Sequence, residues 1–278
     1  MAKAANKQTA SAVARLVSLM ARAFREREKL TQKELGSMLG YSAAAVSAVE
    51  TCAQPASDEM LVGLEAAIGG GLGLFEAARD LVRLDKFPEH FQDFFVLEQQ
   101  AQILYLFETR VMNGLFQTED YARALFAGGF PVLSEQRIEE LLEGRMARKA
   151  LFDRDPMPLI EFIVDESVLM RPIGSKAIMR AQFGHLAQLA RRRNVTVQVL
   201  PLDCGLTGEH AGTSGGLTLV ETPQQQRVVY MEQQDESLLI SDPGKVNLYS
   251  QRYAKIRAQA LGPRESLALI EKLAGEQK

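Results

Sequence analysis

An all-α N-terminal domain containing a helix-turn-helix, followed by a C-terminal mixed α/β domain, is the fold class that the sequence predicts. Three observations carry this. Residues 11–68 break into four short amphipathic stretches separated by capping and turn residues. Alternating, β-branched segments begin only after residue 100. A chain of 278 residues is long enough to bury two cores.

The first helix spans Ser11 to Glu28, where Leu16, Leu19, Met20, Ala23 and Phe24 recur as one apolar stripe. Thr31 and Glu34 then have the spacing of a capping box, which satisfies two orphan N–H groups and opens a second helix. Leu35, Met38 and Leu39 are its inward residues. Gly40 ends it, because glycine enters the left-handed region without a Cβ penalty. Ser42 offers the next N-cap, for a third helix from Ala43 to Glu50 with Val46 and Val49 inward and Ser47 outward. Pro55 prevents much continuation. Asp58 to Ile68 is a fourth helix with Leu61, Leu64 and Ile68 on one face. Two short helices across a tight glycine turn, flanked by longer packing helices, make a helix-turn-helix.

The helix-turn-helix domain is therefore assigned to residues 12–70, with Gly69-Gly70-Gly71 a hinge or loop. Residues 71–85 form a helical connector and 86–275 the α/β domain. In the latter, Ala101–Glu108, Pro158–Val164 and Val195–Leu200 read as strands. Glu119–Ala127, Ser134–Phe152, Ser175–Arg193, Asp242–Ala260 and Pro263–Ala274 read as helices. Gly216–Glu221 and Val228–Glu232 form a hairpin around Thr222-Pro223-Gln224. The dense apolar group Phe87, Phe91, Phe94, Phe95 and Leu97 belongs to core, to a dimer seam or to a partner groove.

Composition narrows the function. No apolar run approaches the roughly 20 residues of a membrane span, and the N-terminus lacks a secretory signal, so the expected location is the cytoplasm. Cys52 and Cys204 are too few and too far apart for a disulfide framework or zinc site, and His90, His185 and His210 show no ligand spacing. No metal or cofactor is expected. Net charge is only -3, but residues 1–40 carry eight cations (Lys3, Lys7, Arg15, Arg22, Arg25, Arg27, Lys29, Lys33) against Glu26, Glu28 and Glu34, a local excess of 8 - 3 = +5. That end is either a phosphate-facing surface or an ordinary solvated helix face.

The run LTQKELGSMLGYSAAAVSAVE, residues 30–50, resembles the Xre or Cro/C1-type, lambda-repressor-like regulators. Gly36 stands where that pattern carries a small alanine at the helix crossing. The phrases GLFQTEDYARALF (114–126), DESVLMRPIG (165–174) and HLAQLARRRNVTVQVLP (185–201) resemble the C-terminal domain of a large actinobacterial group of Xre regulators, described as antitoxin-like. The resemblance implies double-stranded DNA and a small protein encoded by a neighbouring gene as partners. It also implies a mixed α/β C-terminal domain of unknown function, with a distant look of the phospholipase D architecture.

Carried over from the motif, Gln32 would donate to the DNA backbone, with Lys33 adding charge nearby. Base reading would fall to Tyr41, Ser42, Ala43, Ala44 and Ser47. Two departures stand out. Ala43-Ala44-Ala45 occupies positions where relatives place Gln, Lys, Asn or Arg; alanine meets a thymine methyl but makes no bidentate bond to a base. Thr51-Cys52-Ala53-Gln54-Pro55 replaces a turn that in relatives carries Gly and a phosphate-binding Arg. The expectation is a homodimeric DNA-binding regulator, since few base contacts per monomer favour paired half-sites. The alternatives are an antitoxin-like interaction module with weak or lost DNA specificity, or a ligand-sensing domain.

No enzyme is expected. Phospholipase D-type chemistry needs His-x-Lys, and His210-Ala211-Gly212 lacks the lysine. Asp165-Glu166 precedes a helix, which makes capping the role of one of them. Cys204 with His210 lacks an orienting third group, and the glycines from Gly205 to Gly216 follow no phosphate-loop spacing.

Overall fold

The computed structural model describes residues 11–84, 89–234 and 236–275. The chain divides into two compact units, Met1–Phe87 and Pro88–Lys278. The first is entirely helical among its described residues, and the second is a mixed α/β unit.

The helical unit comprises α1 (Ala12–Arg27), α2 (Gln32–Leu39), α3 (Ala43–Glu50), α4 (Asp58–Ile68) and α5 (Leu74–Leu84). Each of the first four starts at a hydroxyl cap. Ser11, Thr31, Ser42 and Ser57 accept from the backbone N–H groups of Ala14, Glu34, Ala45 and Met60. At α2 the capping box is complete, with Thr31 N donating to Glu34 Oε2 at 2.7 Å. Gly40 closes α2 in the left-handed conformation, φ 75°.

Val17, Leu35, Val46, Val49, Leu61 and Leu64 lead the core of this unit. The inner seam of α1 is not the expected stripe. Leu16 is 49% exposed and Leu19 67%, and Ala23 is exposed, whereas Val13, Val17, Met20, Ala21 and Phe24 face the core. The physical reason is a polar anchor: Ser18 is buried and its hydroxyl donates to the Glu50 carbonyl at 2.6 Å, which turns α1 about its axis. Met38, expected inward, is exposed, while Leu35 is buried and Leu39 partly so. The helix expected as a connector, α5, instead completes the core with Phe75 and Ala78. The glycines before it form a tight turn, in which Glu65 accepts from Gly73 and Phe75 N–H.

The α/β unit runs α6 (Glu89–Gln100), β1 (Ile103–Glu108), α7 (Glu119–Ala127), α8 (Glu135–Ala147), β2 (Leu159–Asp165), α9 (Glu166–Met170), α10 (Lys176–Ala190), β3 (Val195–Leu200), β4 (Leu217–Glu221), β5 (Arg227–Gln233), β6 (Glu236–Ile240), α11 (Pro243–Gln259) and α12 (Pro263–Leu273). Helix α9 is the one expected after Asp165-Glu166, whereas α6 and β6 go beyond the elements that the sequence predicts. The end of the helix expected to reach Phe152 is a 3-10 segment, Arg148–Asp153. The strands form one sheet in the order β3-β2-β1-β4-β5-β6. β1 and β2, and β2 and β3, pair in parallel; the remaining pairs are antiparallel.

Helix α11 covers one face, setting Val246, Tyr253 and Ile256 against Phe107, Ile163, Leu219 and Val229. On the other face Phe116 stacks on Phe162 at 4.5 Å and Phe94 on Tyr230 at 4.0 Å. Of the phenylalanine cluster, Phe91 and Phe94 are thus core, and Phe87 lies outside the described residues. At the β3 edge Leu261 N donates to Val199 O at 2.8 Å, and Val199 N donates to Ser266 Oγ at 3.0 Å. Leu261, just before α12, and Ser266, in its first turn, thereby occupy the outward backbone groups of Val199 at that edge.

Gly36 offers a test of the α2–α3 crossing. A Cβ there would lie 2.7 Å from the Tyr41 carbonyl oxygen and 3.2 Å from Ser42 backbone atoms. Gly36→Ala gains about 1 kcal/mol of helix propensity but overpacks a backbone contact at about 1–3 kcal/mol. The expected outcome in urea unfolding is net destabilisation; an increase in stability would show that the crossing relaxes freely.

Candidate nucleic-acid interface

The surface predicted to meet DNA is built on α2 and α3, and their mutual placement rests on Glu50. Its carboxylate accepts from Arg25 Nε at 2.6 Å and Nη2 at 2.8 Å, and from Gln32 Nε2 at 2.9 Å. Arg25 also donates to the Leu30 carbonyl at 2.8 Å. Burial pushes the Glu50 carboxyl up, but the Arg25 fork, the Gln32 amide and the Arg25 charge outweigh it and hold it below the usual carboxylate range. One buried acid therefore joins the end of α3 to α1 and to the first residue of α2.

Gln32 is half-buried with its amide nitrogen spent on Glu50, so that group positions the helices. Lys33 is exposed on the first turn of α2. Tyr41 is half-buried, with its hydroxyl 3.1 Å from Ser57 Oγ at the start of α4. Ser42 is exposed and caps α3; Ala44 is exposed; Ala43 and Ser47 are half-buried. The structure thus brings Ser42, Ala43, Ala44 and Ser47 together on one short helix and ties Tyr41 back to the scaffold.

The cationic excess is largely spent locally. Arg22 pairs with Glu26 at 2.9 Å, Arg27 with Glu28 at 2.9 Å, and Arg25 with Glu50. Arg15, Lys29 and Lys33 have no ion pair among the described residues, and Lys3 and Lys7 lie outside them. After α3, Cys52 takes the left-handed conformation, φ 56°, in the turn where the resemblance leads one to expect glycine.

The α/β unit holds several polar features. Asp165 caps α9 by accepting from Ser167 N–H, and Glu166 accepts from Leu202 N–H at 2.9 Å, so both acids are occupied by backbone. Burial, followed by the charges of Asp165 and Asp203, raises the Cys204 thiol and keeps it protonated, the opposite of an activated nucleophile. His185 is pushed down to about 4 by burial and by Lys149. A cavity of about 160 Å³ lies elsewhere, between α11 and the sheet, walled by Tyr105, Tyr253 and Leu219 and rimmed by Arg227 and Arg257. Those arginines pair with Glu221 at 2.7 Å and Glu161 at 3.1 Å. Among the described residues, no group of three or more His, Cys, Asp or Glu side chains is placed to hold a metal ion. No described helix is long and apolar enough to cross a membrane.

A further feature is at the end of β1. Burial raises the Glu108 carboxyl to about 7, against a hydrogen bond from Asn113 Nδ2 at 3.0 Å and the charge of Arg110. Nearby, Arg145 donates to Gln117 Oε1 at 2.7 Å and is pushed down to about 10 by burial and by Arg148. None of the sequence signals used above points to Glu108 or Arg145, nor to the pairing of Arg25 with Glu50, because these roles are set by burial or by partners distant in the chain.

Two measurements probe these carboxylates. Gln32→Ala removes a bond to a charged group and is expected to cost about 1–3 kcal/mol. Gln32→Glu sets two acids together, costs more, and eases as pH falls and one takes up a proton; equal melting losses at pH 5 and 7.5 would contradict the Glu50 link. For Glu108 the folded value lies above the unfolded one. Its contribution to stability is therefore full below the ordinary carboxyl range and is lost as pH rises to about 7. Glu108→Gln should flatten the stability profile over that window in urea unfolding, and an unchanged slope would assign the titration elsewhere.

Residues 91–272 match the model of a family described as a domain of unknown function, DUF5753. The matched stretch takes in all six strands and about two thirds of the chain, and leaves the helical unit outside it. No curated protein matches the chain. No solved structure matches it. By the extent of that one match, the chain belongs to the DUF5753 family.

Proposed function

We propose that this protein is a DNA-binding transcription regulator whose helical unit is a Cro/C1-type, Xre-like helix-turn-helix and whose DUF5753 unit receives the signal. The observation that carries the reading is the α2–α3 pair: α3 is anchored at its end by Glu50 while Ser42 and Ala44 stay exposed. In this reading α3 enters a major groove and the start of α2 approaches phosphate. Lys33 supplies salt-dependent attraction, Ser42 and Ser47 offer hydroxyls to base edges, and Ala43 and Ala44 offer methyls to thymine. The chain works as a homodimer in the cytoplasm, and a small protein from a neighbouring gene binds the C-terminal unit. The resemblance of residues 114–126, 165–174 and 185–201 to antitoxin-like regulators supports this last part.

A second reading, an interaction module with weak or lost DNA specificity, is favoured by the alanine run of α3 and by a Cys52 turn without a cation. A ligand-sensing role for the C-terminal unit draws on the cavity beside Tyr105 and Tyr253.

Mobility-shift titration against the region upstream of the protein's own gene, at two salt concentrations, separates the first two. The expected outcome is specific retardation that weakens with salt. Lys33→Ala should weaken binding to all sequences alike and reduce the salt slope by about 1, whereas Ser47→Ala should reorder preferred sites. Loss of specific retardation, with capture of the neighbouring small protein intact, would replace the first reading by the second.

A further inference from the structure

The two edges of the sheet are finished differently. At β3 the outer backbone groups of Val199 are taken by Leu261 and Ser266, and Gln198 Nε2 donates to the Leu261 carbonyl at 2.9 Å. At the other end, β6 pairs with β5, and among the described residues no strand lies beyond it. Edge strands are normally guarded against pairing by lysine, proline, a bulge or extreme shortness. Strand β6, Glu-Ser-Leu-Leu-Ile, has none of these: it is five residues long, an average strand length, and its register runs unbroken from Val229↔Ile240 to Gln233↔Glu236. Leu238 is 52% exposed and Leu239 36%. An unguarded, leucine-bearing edge is a pairing site.

We propose that β6 pairs antiparallel with β6 of a second copy of this chain, about a two-fold axis at Leu238, joining two six-stranded sheets into one. The strand fits itself in that register. Leu238 meets Leu238 of the second copy, Ser237 meets Leu239, and Glu236 meets Ile240. The central leucines lie on the α11 side, since Leu238 is the partner of Met231, and extend the apolar layer there. Glu236 is the one charged residue of the strand, and the two copies of it fall four positions apart. That spacing is roughly 14 Å along the strands, beyond the screening length of about 8–10 Å, so like charges do not oppose pairing. A strand with a single acid and no base offers nothing to select a charged foreign strand, whereas it satisfies its own pattern. Pairing over five residues buries a small area, so the dimer is reversible. The inference gives the homodimer proposed above its interface, and it does not depend on DNA binding.

The test is sedimentation equilibrium of the full chain without DNA, over about 1–200 µM. Wild type is expected to approach twice the chain mass with concentration. Leu238→Lys and Leu238→Glu, at a half-exposed position, should each weaken association by at least about tenfold, with unchanged circular dichroism. Mixing the two variants should restore the dimer, because lysine then faces glutamate across the axis. A wild type that stays monomeric overturns the proposal. So does a dimer that neither substitution weakens, or a mixture of folded variants that stays monomeric. Association is measured here without DNA, so its outcome is distinct from that of the retardation experiment.

Discussion

The carboxylate of Glu50 is only 2% exposed, and the geometry of the helical unit follows from how that charge is neutralised. A buried acid left alone is costly, and removal of one partner from a buried pair costs about 3–5 kcal/mol. Here the partners come from two other helices: Arg25, near the end of α1, and Gln32, the first residue of α2. The Glu50 carbonyl in turn accepts from Ser18. These bonds fix the rotation of α1, the entry of α2 and the end of α3 together. A planar guanidinium fork suits this role because it holds the carboxylate in one orientation.

The α/β unit uses a related device. Glu98 on α6 and Arg148 after α8 are 0% and 4% exposed, and two hydrogen bonds of 2.8 and 2.7 Å join them. The guanidinium also lies 4.5 Å over the Phe91 ring. The helix carrying the phenylalanine cluster is thus pinned by charge as well as by the stacking of Phe94 on Tyr230. The neighbouring Arg145 and Glu108 lack such a mutual clasp, and their protonation is shifted by burial instead.

Local signals made much of this legible in the sequence. The caps at Thr31 and Ser42, the left-handed Gly40, the strands Val195–Leu200 and Leu217–Glu221, and the C-terminal helices all lie where residue pattern puts them. What was not legible depends on partners distant in sequence. The face of α1 was misread because Leu16 and Leu19 make a convincing stripe, while the true anchor is Ser18 bonding a carbonyl 32 positions away. Helix α6 escaped because its aromatic density reads equally as core or seam, and β6 because five residues after a turn carry little periodicity. At the candidate interface, the positions of Ser42, Ala43, Ala44 and Ser47 on α3 follow from the caps. The engagement of Gln32 with Glu50, and of Tyr41 with Ser57, required the tertiary arrangement.

The bonds that the Leu261 N–H and the Ser266 hydroxyl make with the Val199 backbone have an effect at a scale larger than the domain. A sheet open at both ends is a template for endless stacking, each copy adding to the last and producing fibres. With Val199 on the β3 flank occupied by Leu261 and by Ser266 of α12, strand addition to the described sheet is favoured at the opposite flank. Aggregation by that route is opposed by a safeguard written into one helix and a residue just before it rather than into the strands themselves.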